Sequence, residues 1–246
     1  MLVLGIETSG SEGTVALAQD GMLLGERELN QAGRRHAQGL VLEIRELLLG
    51  HGFRPQDLQL VAVSRGPGSF TGLRVGMVCA KTMAYSIGCR FIAVDTFAAI
   101  AAGVSRDAAR LCVIEDAQKE DLFLGEYTRN SQSDWQRTSP IRIVSVAEFL
   151  ESCDASSVVT GPGLKKLNLH LGTSQALPAT QIPSSQPRAS VIAEIGKALV
   201  TQEANRLPDS ETDFWSASPF YLRLSAAEEK YASQSRALEP VKPPSQ

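Results

Sequence analysis

Two stretches of the chain carry residue types that hold charged groups. The first is Gly66-Pro67-Gly68-Ser69-Phe70-Thr71-Gly72, set ahead of an apolar run with helical spacing. Pro67 restricts one backbone angle, Gly66 and Gly68 permit positive φ, and Ser69 or Thr71 can cap a helix. The amides of such a turn, added to the helix dipole, bind an anion. The second stretch, Glu7-Thr8-Ser9-Gly10-Ser11-Glu12-Gly13-Thr14, offers hydroxyls, glycines and an acid between two expected strands. Each also has a plainer reading, a strand-to-helix turn and a hairpin turn, which need no ligand. Spacing alone leaves both readings open for each.

Other chemistries lack their residues. No Gly-Lys-Ser/Thr follows the glycine turn, so it is not a Walker loop. No GxSxG elbow occurs. His36, His51 and His170 are scattered, with no HxxxH or HExxH pair, so a transition-metal site of the chain's own is not expected. Cys79, Cys89, Cys112 and Cys153 contain no CxxC and are expected as buried, reduced thiols.

The elements that must position these residues follow from periodicity. Strands are expected at 2–8, 13–19 and 22–30, with Asp20-Gly21 as a hairpin turn. A helix over 35–50 buries Ala37, Leu40, Val41, Ile44, Leu47 and Leu48 on one stripe. Leu42 and Leu49 lie nearly opposite Leu40 and mark a second apolar face. A strand at 59–64 leads through the glycine turn into a helix at 71–87, then a strand at 90–95 and a short helix at 96–103. On the 71–87 helix, Gly72, Gly76, Ala80 and Ala84 form a ridge of small residues, and apolar side chains cover most of the rest. Such a helix needs cover on nearly every side, either from its own core or from a partner.

The second half repeats the order loosely. Strands are expected at 110–115, 121–128 and 135–144, a helix at 146–152, a strand at 156–160, a loose Pro/Ser-rich region at 173–190 and an amphipathic helix at 190–203. Three meandering strands followed by alternating β and α resemble a ribonuclease H-like half. The expected fold is therefore α/β, with two ribonuclease H-like lobes of the actin-like ATPase superfamily and the second lobe reduced. The first lobe is set at 1–105, completed by 215–230, the second at 106–205, and a disordered tail at 233–246.

With 246 residues, 43% hydrophobic and 21% charged, the composition suits one or two globular cores. The net charge of −3 gives no global attraction to nucleic acid. No run approaches the roughly 18 apolar residues of a membrane span. The start MLVLGIETSG reads as a strand rather than a leader, and a cytoplasmic location without membrane contact is expected.

The strings GIETSGSEGTVAL (5–17), RRHAQGLVLEI (34–44), SRGPGSFTGLRVG (64–76), VDTFAAIAAG (94–103) and PFYLRLSAAE (219–228) resemble those of the TsaB (YeaZ) family of bacterial tRNA threonylcarbamoyladenosine biosynthesis proteins. GPGSFTGLR is the most specific piece; the first lobe matches almost throughout and the second weakly. The resemblance implies a non-catalytic accessory subunit that binds and activates a TsaD-type transferase acting at tRNA position 37. It further implies a TsaE-type ATPase partner, a homodimer when alone, and tRNA contact only through the complex. No cofactor of its own is implied; ATP and metal are expected on partner subunits. TsaD-like chains carry an HxxxH metal pair where this sequence places Thr96 and Ile100. The helices at 35–50 and 71–87 match the family's docking elements, which makes Leu42, Leu49, Val75, Val78, Cys79, Thr82 and Tyr85 interface candidates. The residues near any phosphate or nucleotide would be Glu7, Thr8, Ser9, Gly66, Gly68, Ser69, Thr71 and Gly72. The chain departs from the family pattern at Glu7, where many relatives have Asp, and at Asp116-Ala117-Gln118, where an acid–Ala–Arg stretch is usual. The alternatives are an actin-like ATPase or carbamoyl-type transferase with its own activity, and a self-associating structural protein.

Overall fold

The computed structural model describes residues 1–29, 36–104, 108–130, 134–172, 177, 179–182, 186–203 and 214–223. The expected tail at 233–246 lies outside these.

The first sheet is built from β1 (Leu2–Glu7), β2 (Thr14–Gln19), β3 (Met22–Glu28), β4 (Leu60–Ser64) and β5 (Arg90–Val94) in the order β3-β2-β1-β4-β5. β1 runs antiparallel to β2 and parallel to β4, which runs parallel to β5. β1 and β4 are buried along their whole length, as continuous apolar runs covered on both faces must be. Asp20 and Gly21 both take positive φ, the geometry that lets a two-residue hairpin follow the strand twist.

α1 (His36–Gly50) and α2 (Phe70–Ile87) lie on one face of this sheet, packing Leu40, Ile44, Leu47, Leu48, Met77, Ala80 and Ala84 onto Leu4, Ile6, Val61 and Val63. α6 (Ala189–Glu203) covers the other face, with Ile192, Ala193 and Val200 against Val3, Leu60 and Ile92. This corrects the sequence-based grouping of 106–205 as one lobe. An amphipathic stripe shows that a helix has a buried face but not which sheet it meets. Here the choice is made by close approach: a Cβ on Gly5 would lie 2.1 Å from the Ala189 carbonyl oxygen, and one on Gly196 2.6 Å from the Ala62 methyl.

The second sheet repeats the pattern with β6 (Arg110–Asp116), β7 (Asp121–Arg129), β8 (Trp135–Arg137), β9 (Arg142–Ser145), β10 (Ser157–Thr160) and β11 (Thr180–Gln181). Its order is β11-β10-β6-β7-β8, with β9 also on β7. The strand expected at 135–144 is therefore two strands. Both pair with β7, β8 at Tyr127–Arg129 and β9 at Asp121–Leu124. Pro140, which has no N–H to give to a ladder, falls in the break. α4 (Val146–Ser152) and α5 (Leu164–Leu171) cover this sheet; the sequence pattern assigned no element to 164–171. α3 (Thr96–Ala102) sends Phe97 and Ile100 into a cluster with Leu111, Val113, Phe123 and Tyr127, so one apolar core joins the two sheets. An Arg137–Asp95 ion pair at 2.5 Å adds a polar link.

Candidate functional site

The glycine turn and the loop after β1 are closed on each other. Ser69 caps α2, its Oγ accepting from the Gly72 N–H at 3.3 Å. Its own N–H donates to the Ser9 carbonyl at 2.7 Å. Thr8 lies directly on the helix and donates from Oγ1 to the Gly72 carbonyl at 2.8 Å. Contact this close requires glycine: a Cβ on Gly72 would lie 1.9 Å from the Thr8 carbonyl oxygen, and one on Gly76 2.2 Å from Thr8 Oγ1. The first half of the α2 ridge, Gly72 and Gly76, thus receives a loop, while Ala80 and Ala84 pack on the sheet.

Glu7 is fully buried at the end of β1. Its Oε1 accepts from the Ser9 N–H and hydroxyl and from the Gly10 N–H, while Oε2 has no hydrogen-bond partner. Burial raises its carboxyl above the usual range, and the bonds from Ser9 and Gly10, with the Ser64 hydroxyl nearby, oppose that only in part. Of the eight phosphate candidates, Glu7, Thr8, Ser9 and Gly72 are interior, Gly66 donates its N–H to Thr96 Oγ1 at 3.1 Å, and Thr71 is exposed.

Gly68 and Ser69 do line an open space, a cleft of about 290 Å³ between the lobes. Its opposite wall is the β6–β7 turn with Asp116 and Gln118, and its third side is the segment 220–223. That segment spans the lobes. Phe220 N–H donates to the Arg65 carbonyl at 2.7 Å, and the Tyr221 hydroxyl accepts from Arg74 Nε at 3.0 Å. Arg223 donates to the Ala117 carbonyl and pairs with Asp121 at 3.2 Å. Next to Asp116 in β6, Glu115 is pushed up to about 7 by burial, with the Asp116 N–H bond opposing the rise and the charges of Asp116 and Glu7 adding to it.

At the positions set against the HxxxH pair of TsaD-like chains, the Thr96 hydroxyl accepts from the Gly66 N–H, and Ile100 is packed in the core between the sheets. Among the described residues, no group of three or more His, Cys, Asp or Glu side chains could hold a metal ion.

The other conspicuous surface is apolar. A groove of about 680 Å³ runs between α1 and α2, walled by Val41, Val75, Val78, Cys79, Thr82, Met83 and Ile87, with Pro55 at its edge. Val41 and Val78 are each 64% exposed. Four of the interface candidates, Val75, Val78, Cys79 and Thr82, meet in this groove. Leu42 and Leu49 are 37% and 55% exposed, on the outer side of α1 beyond the groove wall. Tyr85, 70% exposed, stands on the outer shoulder of α2 against Phe214 and Trp215, with ring centroids 5.9 and 6.2 Å away.

Val41, expected in the buried stripe of α1, is corrected to the groove. It sits about 100° around the helix from Leu40, at the stripe's edge, where the gap to α2 opens. Met83, Ile87 and Trp215 were missed as surface residues; only the packing of neighbouring elements distinguishes them from core. Burial pushes the Cys79 thiol up to about 11, so it lines the groove as a neutral side chain. Of the four cysteines, all free, only Cys112 is fully buried, against the expectation for the set.

Two sheets of matching strand order, helices on their faces and a cleft between them define the class: two ribonuclease H-like lobes in an actin-like ATPase-type fold, the second with shorter helices. The structure of YeaZ from Pseudomonas aeruginosa superposes with a TM-score of 0.71 at 23% identity, covering 90% of this chain and 99% of that one. The family model of TsaD, the tRNA N6-adenosine threonylcarbamoyltransferase, matches residues 23–231. The chain belongs to this family, in its TsaB (YeaZ) branch. It is 28% identical to the tRNA threonylcarbamoyladenosine biosynthesis protein TsaB of Bacillus subtilis over 94% of this chain and 98% of that protein. It is 29% identical to the Escherichia coli TsaB over 66% of this chain and 72% of that protein. A tRNA N6-adenosine threonylcarbamoyltransferase of Thermus thermophilus is 37% identical, but over only 38% of this chain and 33% of the transferase. No helix among the described residues is long and apolar enough to cross a membrane.

Proposed function

We propose that the chain is a non-catalytic accessory subunit in the synthesis of threonylcarbamoyladenosine at tRNA position 37, binding and activating a TsaD-type transferase. The observation that carries this reading is the contrast between its two candidate sites. The turn suited by its residues to phosphate is closed on the β1–β2 loop by the Ser69–Ser9 backbone bond and the Thr8 hydroxyl, with Thr8 against Gly72 and Gly76. The α1–α2 groove, by contrast, is open and almost wholly apolar. Exposed apolar surface of that kind is stabilised by association.

In this reading the groove docks the transferase and, when the chain is alone, a second copy. Leu42, Leu49 and Tyr85, exposed outside the groove lining, extend the contact. A TsaE-type ATPase joins the complex, tRNA is held through the partner, and ATP and metal belong to partner subunits in the cytoplasm. The interlobe cleft favours a second reading, an ATPase in its own right, in which Ser69, Gln118 and Arg223 face the nucleotide.

The test is reconstitution from the purified chain, TsaD-type and TsaE-type proteins, tRNA, ATP and threonylcarbamoyl-adenylate, leaving out one component at a time. Product should require both this chain and the TsaD-type protein, and Val78→Asp should abolish it. Modified adenosine or ATP turnover from this chain alone would overturn the accessory role and send the search to the cleft.

A further inference from the structure

Cys112 and Cys153 line one cavity in the second lobe, about 120 Å³ in volume. Cys112 lies on β6 and is 8% exposed, within the apolar cluster that α4 covers with Phe149. Cys153 is the residue that ends α4; it packs on the same cluster but keeps part of its surface in solvent. Strand pairing holds the two regions together. Ser157 is the register partner of Arg110, two positions before Cys112. The Ser157 N–H donates to the Asp154 carbonyl at 2.9 Å, and the Asp154 carboxylate pairs with Arg110 at 3.4 Å. The residue after Cys153 is thus tied to the strand that carries Cys112. Neither thiol is in a disulfide. The other two cysteines, Cys79 and Cys89, belong to the first lobe.

We propose that Cys112 and Cys153 are a dithiol site that becomes an intrachain disulfide by exchange with a low-molecular-weight disulfide. Cys153, the reachable member, attacks as thiolate on one sulfur of the small disulfide. A mixed disulfide forms and one small thiol leaves. Cys112, as thiolate, then attacks the Cys153 sulfur and displaces the second small thiol. The two protein thiols give up two protons and two electrons, and the small disulfide takes them up as two thiols.

The surroundings set the pace of this exchange. Burial pushes Cys112 up to about 12, with Cys153 and Glu126 adding to the rise and Arg110 and Arg142 opposing it. Burial and then the Asp154 charge raise Cys153. Formation is therefore slow at neutral pH and speeds up as pH rises, because the thiolate is the attacking species. The same burial makes Cys112 a poor leaving group, so the finished bridge is also slow to be reduced.

The experiment incubates the full chain with oxidised glutathione at mildly alkaline pH, quenches with acid, and maps peptides by mass spectrometry. The expected result is a cross-linked peptide pair joining Cys112 to Cys153, formed faster at higher pH. Cys112→Ser should stop at a stable glutathione adduct on Cys153, and Cys153→Ser should give no bridge. A wild-type chain that stops at the Cys153 adduct, links either thiol to a different cysteine, or leaves Cys112 free throughout would overturn the proposal. The wild-type chain decides the outcome, so a variant that fails to fold does not blur it.

Discussion

The molecule carries a Gly-Pro-Gly string between a strand and a helix twice, and the two copies differ most in the helix that follows. In the first lobe β4 passes through Gly66-Pro67-Gly68 into α2, 18 residues long. In the second, β10 passes through Gly161-Pro162-Gly163 into α5, 8 residues long. Both turns are pressed onto the neighbouring parallel strand's end. Gly68 and Gly72 meet Ser9 and Thr8 just beyond β1, while Gly161 and Gly163 meet Ile114 and Glu115 in β6. The glycines in both places answer one local problem, a helix start packed directly against backbone.

What differs is the outer face of the helix. α5 turns Lys165, Asn168 and His170 outward, with Leu169 the one large apolar exception. α2 turns out Val78 and Tyr85 and shares an apolar groove with α1. Equivalent positions in a duplicated fold therefore differ in cover: one helix closes a lobe, and the other also leaves an apolar groove exposed. Gly-Pro-Gly is common to both turns, although Ser69 caps α2 with its side chain and Gly163 gives α5 no such cap; the larger difference between the two is the outer face of the helix.

The sharpest way to break this comparison is Gly72→Ala. Its added Cβ lies 1.9 Å from the Thr8 carbonyl, and nothing at that backbone can yield cheaply. The expected loss is about 3 kcal/mol or more in urea unfolding, or failure to fold. If instead the variant folds normally and gains phosphate affinity, the closed-turn reading is wrong. Val78→Asp should leave unfolding free energy within about 0.5 kcal/mol, since the side chain is exposed, yet remove binding to the TsaD-type protein. Leu169→Asp on α5, more exposed still, should leave that binding intact, as pull-down or analytical ultracentrifugation will show.

Glu115 sharpens the second-lobe half. A carboxyl whose pKa is higher in the fold than in the unfolded chain favours the fold while protonated. Its contribution is full below about 4.5 and is lost as pH rises through about 7. Glu115→Gln should remove that part of the decline when melting temperature is followed across this window; an unchanged slope would show that the carboxyl ionises freely. The smallest effect is expected from Ser69→Ala, which deletes one helix cap and should cost about 1 kcal/mol.

Much of the fold was legible in the chain because its signals are local. The Asp20-Gly21 hairpin, the buried runs of β1 and β4, and the apolar outer face of α2 are all set within a few residues of themselves. The candidate site was legible in kind but not in arrangement. Val75, Val78, Cys79 and Thr82 were identified as surface, yet Val41 was assigned to the core because it sits at the margin of a stripe. Periodicity does not say where a neighbouring helix stops. Phe214, Trp215 and the 220–223 strap lie far along the chain from the elements they touch, so no window of sequence relates them to Tyr85, Arg74 or the cleft. The 135–144 segment reads as one strand because both of its halves pair with β7, and only the ladder shows the break between them.

The sequence by itself determined the elements, the turn residues and the amount of apolar surface, since these depend on side-chain type and spacing. The tertiary structure alone decided which surface stays open. Thr8 fills the glycine ridge of α2, α6 crosses to the first sheet, and α1 stops short of covering Val78. Each of these is a contact between distant segments, settled by how closely two backbones can approach. That competition for cover closed part of a stretch suited to phosphate onto the β1–β2 loop and left its helix with an exposed apolar face.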